Sequence, residues 1–471
     1  MNLLRRLYAP DFLLKPAQKR QEHYPTRDIY AAFMKVAWPA MVESVLVGLV
    51  NFIDSVMVST LGYRSVAAVG LTSQPRLIFF AVFLALNIGV TAIVSRRKGE
   101  ERREDANRCL AQAVSICVIL GIILVSVAIA FAEPLLRFAG AMDDTIDEAT
   151  IYFRIIMVGV FFTALSTAIN AAQRGAGNTR ISMTTNLTAN IVNVIFNALL
   201  INGMLFFPKL GVAGAAIATL LGNITACVMS IVSVSKKDGF LFLRPKMLFH
   251  FDRENLSLIV RIASSAAVEQ VFLRIGFFVF AMIVNNLGTI ATSTHTICMN
   301  IMNLSFCFGD GLGVAASSMV GQNLGRERPD MSIIYGKTGQ RVGVVVSLIL
   351  MLIFIFGGES LMNLFMTGDE NVPEIIETGV RLLLILAAVT PAQISQVIYS
   401  GCVRGAGDTK FAAVTSLVSV AIVRPILSFL FCYPLGFGLI GAWCSILIDQ
   451  YTRLGLMAWR FSSGKWARIK V

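Results

Sequence analysis

The chain has 471 residues, of which 56% are hydrophobic and 14% charged, and a net charge of +12. This balance excludes a soluble globular protein. The apolar runs lack the alternation over about ten residues that lipid-facing strands show, which excludes a barrel as well.

Runs long enough to cross about 30 Å of hydrocarbon as helix occur twelve times, six in each half of the chain. The sequence therefore predicts an all-α membrane protein with twelve transmembrane helices in two homologous six-helix bundles. We divide it into a cytoplasmic N-terminal segment (1–33), helices one to six (34–235), a cytoplasmic linker (236–257), helices seven to twelve (258–459) and a cytoplasmic tail (460–471). Of the 40 Lys and Arg residues, 31 fall at or before Lys35, in or beside the even-numbered connections, or in the tail. That asymmetry sets orientation during insertion and places both termini in the cytoplasm. It also accounts for the positive charge without a nucleic-acid partner.

In chain order, the first helix carries Glu43, Asn51 and Asp54 among Val, Leu and Phe. Eleven positions at about 100° each bring Asp54 back to within roughly 20° of Glu43, so both carboxyls share a face. Ionisable groups at membrane depth line an interior cavity or ion path by default. Solvation at either interface is the competing reading. The fifth helix, near Ile181–Leu205, places Asn186, Asn190, Asn193 and Asn197 at i, i+4, i+7 and i+11. This amide stripe faces protein or water, as glue between helices or as a cavity lining.

The seventh helix sets Glu269, Gln270 and Arg274 in apolar surroundings, with Glu269 rotated away from Arg274 and in need of another partner. His295, Met299, Asn303 and Asp310 make a one-sided stripe on the eighth. The ninth is the shortest apolar run, Val342–Gly357. Gln393 and Gln396 follow Pro391 in the tenth, the eleventh holds Arg424-Pro425, and the twelfth holds Asp449 and Arg453, which we pair with each other.

The halves echo each other. Arg174-Gly175-Ala176-Gly177 recurs as Arg404-Gly405-Ala406-Gly407, and Glu43 is answered by Glu269, Gly99 by Gly325 and Gly211 by Gly438, all in the same order. Such register indicates an internal duplication.

Enzyme chemistry has little to stand on. The glycine turns lack the Lys-Ser/Thr of a phosphate cradle and follow helices rather than strands. With three histidines (His23, His250 and His295) and eight scattered cysteines there is no nucleophile pair or metal cluster. A duplicated bundle with inward polar stripes is the layout of a secondary transporter, whose carboxylates couple transport to an ion gradient. Amides, carboxylates, Met and Phe suit cationic, amphipathic small molecules. Glu43, Asn51, Asn190, Gln270, His295, Met299, Asn303, Gln393 and Gln396 are the candidate substrate lining.

The doubled Arg-Gly-Ala-Gly turns with their following Thr, Asp54, Glu269-Gln270 and Val320-Gly321-Gln322-Asn323-Leu324-Gly325 carry a resemblance to the multidrug and toxic compound extrusion (MATE) family, of the bacterial NorM-like type. The resemblance spans Met34 to Trp459. It implies an N-lobe and a C-lobe facing each other in a V, exchanging Na⁺ or H⁺ for cationic drugs, with no resident cofactor and a monomer sufficient. Asp54 is then the N-lobe coupling carboxylate and Glu269 the C-lobe one. Some relatives have an aspartate where Asn197 stands, and others an acid near Gln393. With those acids absent, Asp54 with Asn193 and Asn197 offers an oxygen set suited to Na⁺, with Asp54 and Asn193 as the candidate metal ligands. A lipid-linked oligosaccharide flippase, with Arg274 and Arg424 available for pyrophosphate, and a non-transporting receptor are the alternatives.

Overall fold

The computed structural model describes residues 8–9, 13–14, 25–59, 63–139, 141, 145–203, 208–237, 239–365 and 372–469. Almost everything described is helix. The elements are α1 (Thr26–Ser59), α2 (Tyr63–Gly99), α3 (Arg103–Ala130), the short α4 (Ala132–Phe138), α5 (Ile146–Gly175), α6 (Thr179–Asn202) and α7 (Gly211–Ser233). After the linker come α8 (Arg253–Asn285), α9 (Thr289–Gly325), α10 (Pro329–Phe365), α11 (Val372–Gly405), α12 (Thr409–Ser416), a π-helical stretch (Leu417–Val423), α13 (Arg424–Cys432) and α14 (Gly438–Ser463).

Eleven helical stretches among the described residues are long and apolar enough to cross a membrane, α12, the π stretch and α13 together making one of them. The twelfth is α14. Its 26 residues reach about 39 Å, but Asp449, Gln450 and Arg453 lower its hydropathy, and all three are buried. The ninth span is far longer than its apolar run. Helix α10 starts at Pro329, continues through the polar stretch Lys337–Arg341, and buries Ile333, Ile334 and Thr338 there.

The chain forms two compact units, one of residues 42–263 and the other of residues 1–41 with 264–471. Each unit thus takes in the opening turns of the other half's first helix. In the larger unit, α1 approaches α9 so closely that a Cβ on Gly311 would overlap the backbone of Met41. In the smaller, Gly89 lies against Ile259 of α8, whose carbonyl would sit 3.5 Å from an added Cβ.

Both units are built the same way. In residues 42–263, α5 is the central helix, packed on α2, α3 and α7. In the other unit α11, its counterpart, packs on α9, α10 and α14. The repeated glycine turn explains how these central helices end. A Cβ on Gly175 would stand 2.8 Å from the Thr91 carbonyl of α2, and one on Gly405 would overlap the Ser317 carbonyl of α9. Small residues let membrane helices approach backbone to backbone in this way. Two residues on, Gly177 and Gly407 turn the chain at φ 84° and 87°, a region that residues with a Cβ rarely adopt. The halves also share a non-glycine left-handed residue after α2 and α9, Glu101 at φ 58° and Glu327 at φ 56°.

The tail does not simply leave the bundle. Phe461 and Trp466 stack at 5.0 Å with their rings 4° apart, both buried in a core that includes Phe33, Leu312 and Ile398.

Candidate functional site

The repeated sequence elements meet in space. In residues 42–263, Glu43 is 8% exposed, and its Oε1 accepts from Arg174 Nη1 at 3.2 Å, Ser182 Oγ at 2.7 Å and Asn186 Nδ2 at 2.6 Å. Arg174 closes the last turn of α5, while Ser182 and Asn186 lie one turn apart on α6. The turn between these helices therefore brings a cation and two neutral donors to one oxygen. Glu43 Oε2 is buried without a hydrogen-bond partner.

The other unit repeats the arrangement. Glu269 of α8 is fully buried, and its Oε1 accepts from Arg404 Nη2 at 2.5 Å and Ser416 Oγ at 3.1 Å. Its Oε2 is likewise buried and unpartnered. Arg404 is the last-turn arginine of α11, and Ser416 stands at the position of Asn186 in the repeat. A buried carboxylate needs a cation and further donors to offset its desolvation. Each half supplies them through the same turn. The partner that Glu269 lacked in the sequence is Arg404.

Along α6, Asn186 belongs to the Glu43 cluster. Asn193 donates to Thr219 Oγ1 at 3.2 Å, and Asn197 donates to Asn193 Oδ1 at 3.4 Å. Asn190 is half-buried, with its Nδ2 unpartnered. The stripe thus splits into a carboxylate-binding end and an interhelical end. Asn51 and Asp54 lie on α1, but their side chains are outside the described residues, and so is any Na⁺ set built on Asp54 with Asn193. Among the described residues no three His, Cys, Asp or Glu converge as metal ligands.

In the larger unit a second charged centre surrounds Arg424. Asp449 pairs with it rather than with Arg453: Arg424 Nε and Nη2 reach Asp449 Oδ2 at 3.2 and 2.5 Å. The π stretch ends immediately before Arg424, which faces Asp449 of α14. Its guanidinium lies over Phe277 at 5.0 Å and Phe280 at 5.7 Å. His295 packs between Phe280 at 5.5 Å and Trp443 at 5.9 Å. Four polar atoms here are buried without partners: Arg424 Nη1, Asp449 Oδ1, Trp443 Nε1 and His295 Nδ1. Arg453 is buried within electrostatic reach of Asp449, Arg424, Glu269 and Arg404.

The remaining candidates are dispersed. Gln393 accepts from Ser305 Oγ at 3.3 Å, Gln396 is buried with its Oε1 unpartnered, and Met299 packs against the apolar core of that unit. Gln270 is half-buried beside Glu269, and Asn303 is exposed. The residues the sequence reading missed are Arg174, Ser182, Arg404, Ser416 and Trp443. Arg174 and Arg404 carried a signal, since repeated arginines and repeated glutamates at nearly equal offsets are candidates for one another.

Residues 39–199 and 265–430 match the family model described as MatE, which covers more than half of the chain. The chain belongs to the MatE family. This MatE chain is 27% identical to an uncharacterized transporter, YisQ, of Bacillus subtilis, over 92% of its own length and 94% of its relative's. It is 26% identical to a probable multidrug resistance protein NorM of Thermotoga maritima, over 94% of each. Its fold matches the outward-facing conformation of a multidrug resistance MATE family transporter of the MOP superfamily, with a TM-score of 0.86 at 20% identity, covering 93% of this chain and 97% of that one. It also matches, with the same TM-score and coverage at 22% identity, a MOP superfamily transporter from Pyrococcus furiosus whose binding pocket is described as having reversed polarity. The MatE chain is a multi-pass bacterial membrane transporter and not an enzyme. The flippase alternative is not favoured: Arg424 is committed to Asp449, and Arg274 is exposed on α8.

Proposed function

We propose that this MatE protein is a secondary active multidrug efflux transporter that exchanges Na⁺ or H⁺ for cationic, amphipathic compounds by alternating access. The observation that carries the reading is Glu269. It is fully buried in an apolar helix, with one carboxylate oxygen held by Arg404 and Ser416 and the other unpartnered. Such an oxygen is ready for a proton or a cation, and occupancy would weaken its grip on Arg404. Asp54 serves as the coupling carboxylate of the first half, with Asn193 and Asn197 as neutral oxygen donors suited to Na⁺. Both termini are cytoplasmic, the monomer is the working unit, and no resident cofactor is needed. The NorM relative named as a probable multidrug resistance protein supports drugs as cargo.

The test is ethidium efflux from loaded cells. Asp54→Asn and Glu269→Gln each abolish it if the roles are right, and unchanged efflux in both removes them. Dye uptake into proteoliposomes under an imposed Na⁺ gradient, compared with a pH gradient, identifies the ion.

A further inference from the structure

The linker between the halves runs back along the first half of α3 and is fastened to it. Asn107, 1% exposed, accepts from Phe242 N–H at 2.9 Å, and Ser115 accepts from Phe249 N–H at 2.8 Å. Gln112 donates to the Asp252 carbonyl at 3.3 Å, and Arg103 donates to the carbonyls of Lys237, Gly239 and Phe240. Between linker and helix a cavity of about 590 Å³ remains, lined by Arg108, Gln112, Lys246, His250, Phe251 and Arg253, with Met247 and Asp252 completing its wall. That volume falls within the range of small-molecule sites.

The lining is rich in donors. Its one acid, Asp252, is already engaged, accepting from Glu254 N–H at 3.2 Å and from Asn255 Nδ2 at 3.0 Å. Among the described residues, Lys246 and Arg253 have no ion pair, and Arg108 reaches Asp105 only at 3.8 Å. A cavity of this kind takes an anion with several oxygens. Beside it stand two aromatic rings facing outward, Phe249 (56% exposed) and Phe251 (42% exposed). Phe249 is held at φ 59°, where a side chain is strained, and its N–H is fixed by Ser115. A free phosphate has no use for such rings. A lipid does, since aromatic residues settle at headgroup level while basic groups hold the phosphate.

We propose that this cavity binds the headgroup of an anionic phospholipid of the inner leaflet, with Phe249 and Phe251 resting against its acyl boundary. The site lies within residues 42–263 and takes no part in the carboxylate clamps. It depends on the cytoplasmic placement of the linker, but not on which ion or drug is carried.

Native mass spectrometry of the full chain, released from phosphatidylcholine nanodiscs containing a minor fraction of phosphatidylglycerol, tests it. Retention of phosphatidylglycerol over phosphatidylcholine is expected. Lys246→Gln and Arg253→Gln should each weaken retention about five-fold. Arg253→Lys retains it, and Lys209→Gln, an exposed charge elsewhere in the same unit, leaves it unchanged. Phe249→Ala with Phe251→Ala lowers lipid retention without touching a charge. Wild-type retention in the Lys246 and Arg253 variants overturns the proposal. So does displacement of the lipid by inorganic phosphate with no effect of the Phe variants, which would make this a free-phosphate site. Transport is not the readout, so failure here and failure of the efflux reading are separate outcomes.

Discussion

Arg404 holds Glu269 as Arg174 holds Glu43, at 2.5 and 3.2 Å, with the arginine in each case ending a central helix at a glycine turn. The conserved geometry of the duplication is therefore an ion pair as well as a helix count. Breaking a buried pair from one side leaves an uncompensated charge, at a cost of about 3–5 kcal/mol. Arg404→Ala is expected to lose that much stability, read as a large drop in thermal midpoint in detergent. Adding Glu269→Gln to Arg404→Ala restores most of it, and a double-mutant cycle gives the coupling directly. Equal stability of Arg404→Ala and the double variant contradicts the clamp.

Close backbone approach at the two turns predicts an asymmetry among glycines. Gly175→Ala and Gly405→Ala force α5 away from α2 and α11 away from α9, costing roughly 1–3 kcal/mol each. Gly455→Ala in α14 meets nothing within 4 Å and gains up to about 1 kcal/mol of helix propensity. Thermal melts of the three variants check the ordering.

Asp449 provides a comparison between two arginines on either side of it. Because Arg424 supplies its hydrogen bonds, Arg424→Ala is expected to cost about 3–5 kcal/mol, whereas Arg453→Ala costs far less. The pairing first read from the spacing of α14 predicts the reverse. Replacing Arg424 and Asp449 together by Leu returns stability close to wild type.

The α6 amides are predicted to differ in worth. Asn186→Leu removes a donor from Glu43 and should cost about 1.5–3 kcal/mol, as hydrogen bonds to charged groups do. Asn193→Leu removes neutral bonds to Thr219 and from Asn197, each worth roughly 0.6 kcal/mol in a membrane. A chemical-denaturant series on the purified protein separates the two.

Most of the architecture was legible because helices in lipid must satisfy their own backbone, so apolar length reads directly as a span. The duplication was legible because glycines mark positions where no side chain fits, and such positions hold their register. Glu43 and Glu269 stood out as charges in apolar runs. Their partners did not, because Arg174 and Arg404 lie at helix ends, where basic residues are ordinary. Pairing Asp449 with Arg453 failed for a different reason: spacing along one helix cannot anticipate a neighbouring helix that rotates a better partner into place. The length of α10 was hidden by Lys337, Gln340 and Arg341, polar residues that interrupt hydropathy without interrupting the helix.

The π-helical stretch Leu417–Val423 makes the two halves unequal. An extra residue in one turn advances everything beyond it by roughly 100° around the axis. Past Val423, the faces of α13 are no longer copies of those on the second part of α6. That rotation gives the second half a charged and aromatic chamber, in which Arg424 meets Asp449 over the rings of Phe277 and Phe280.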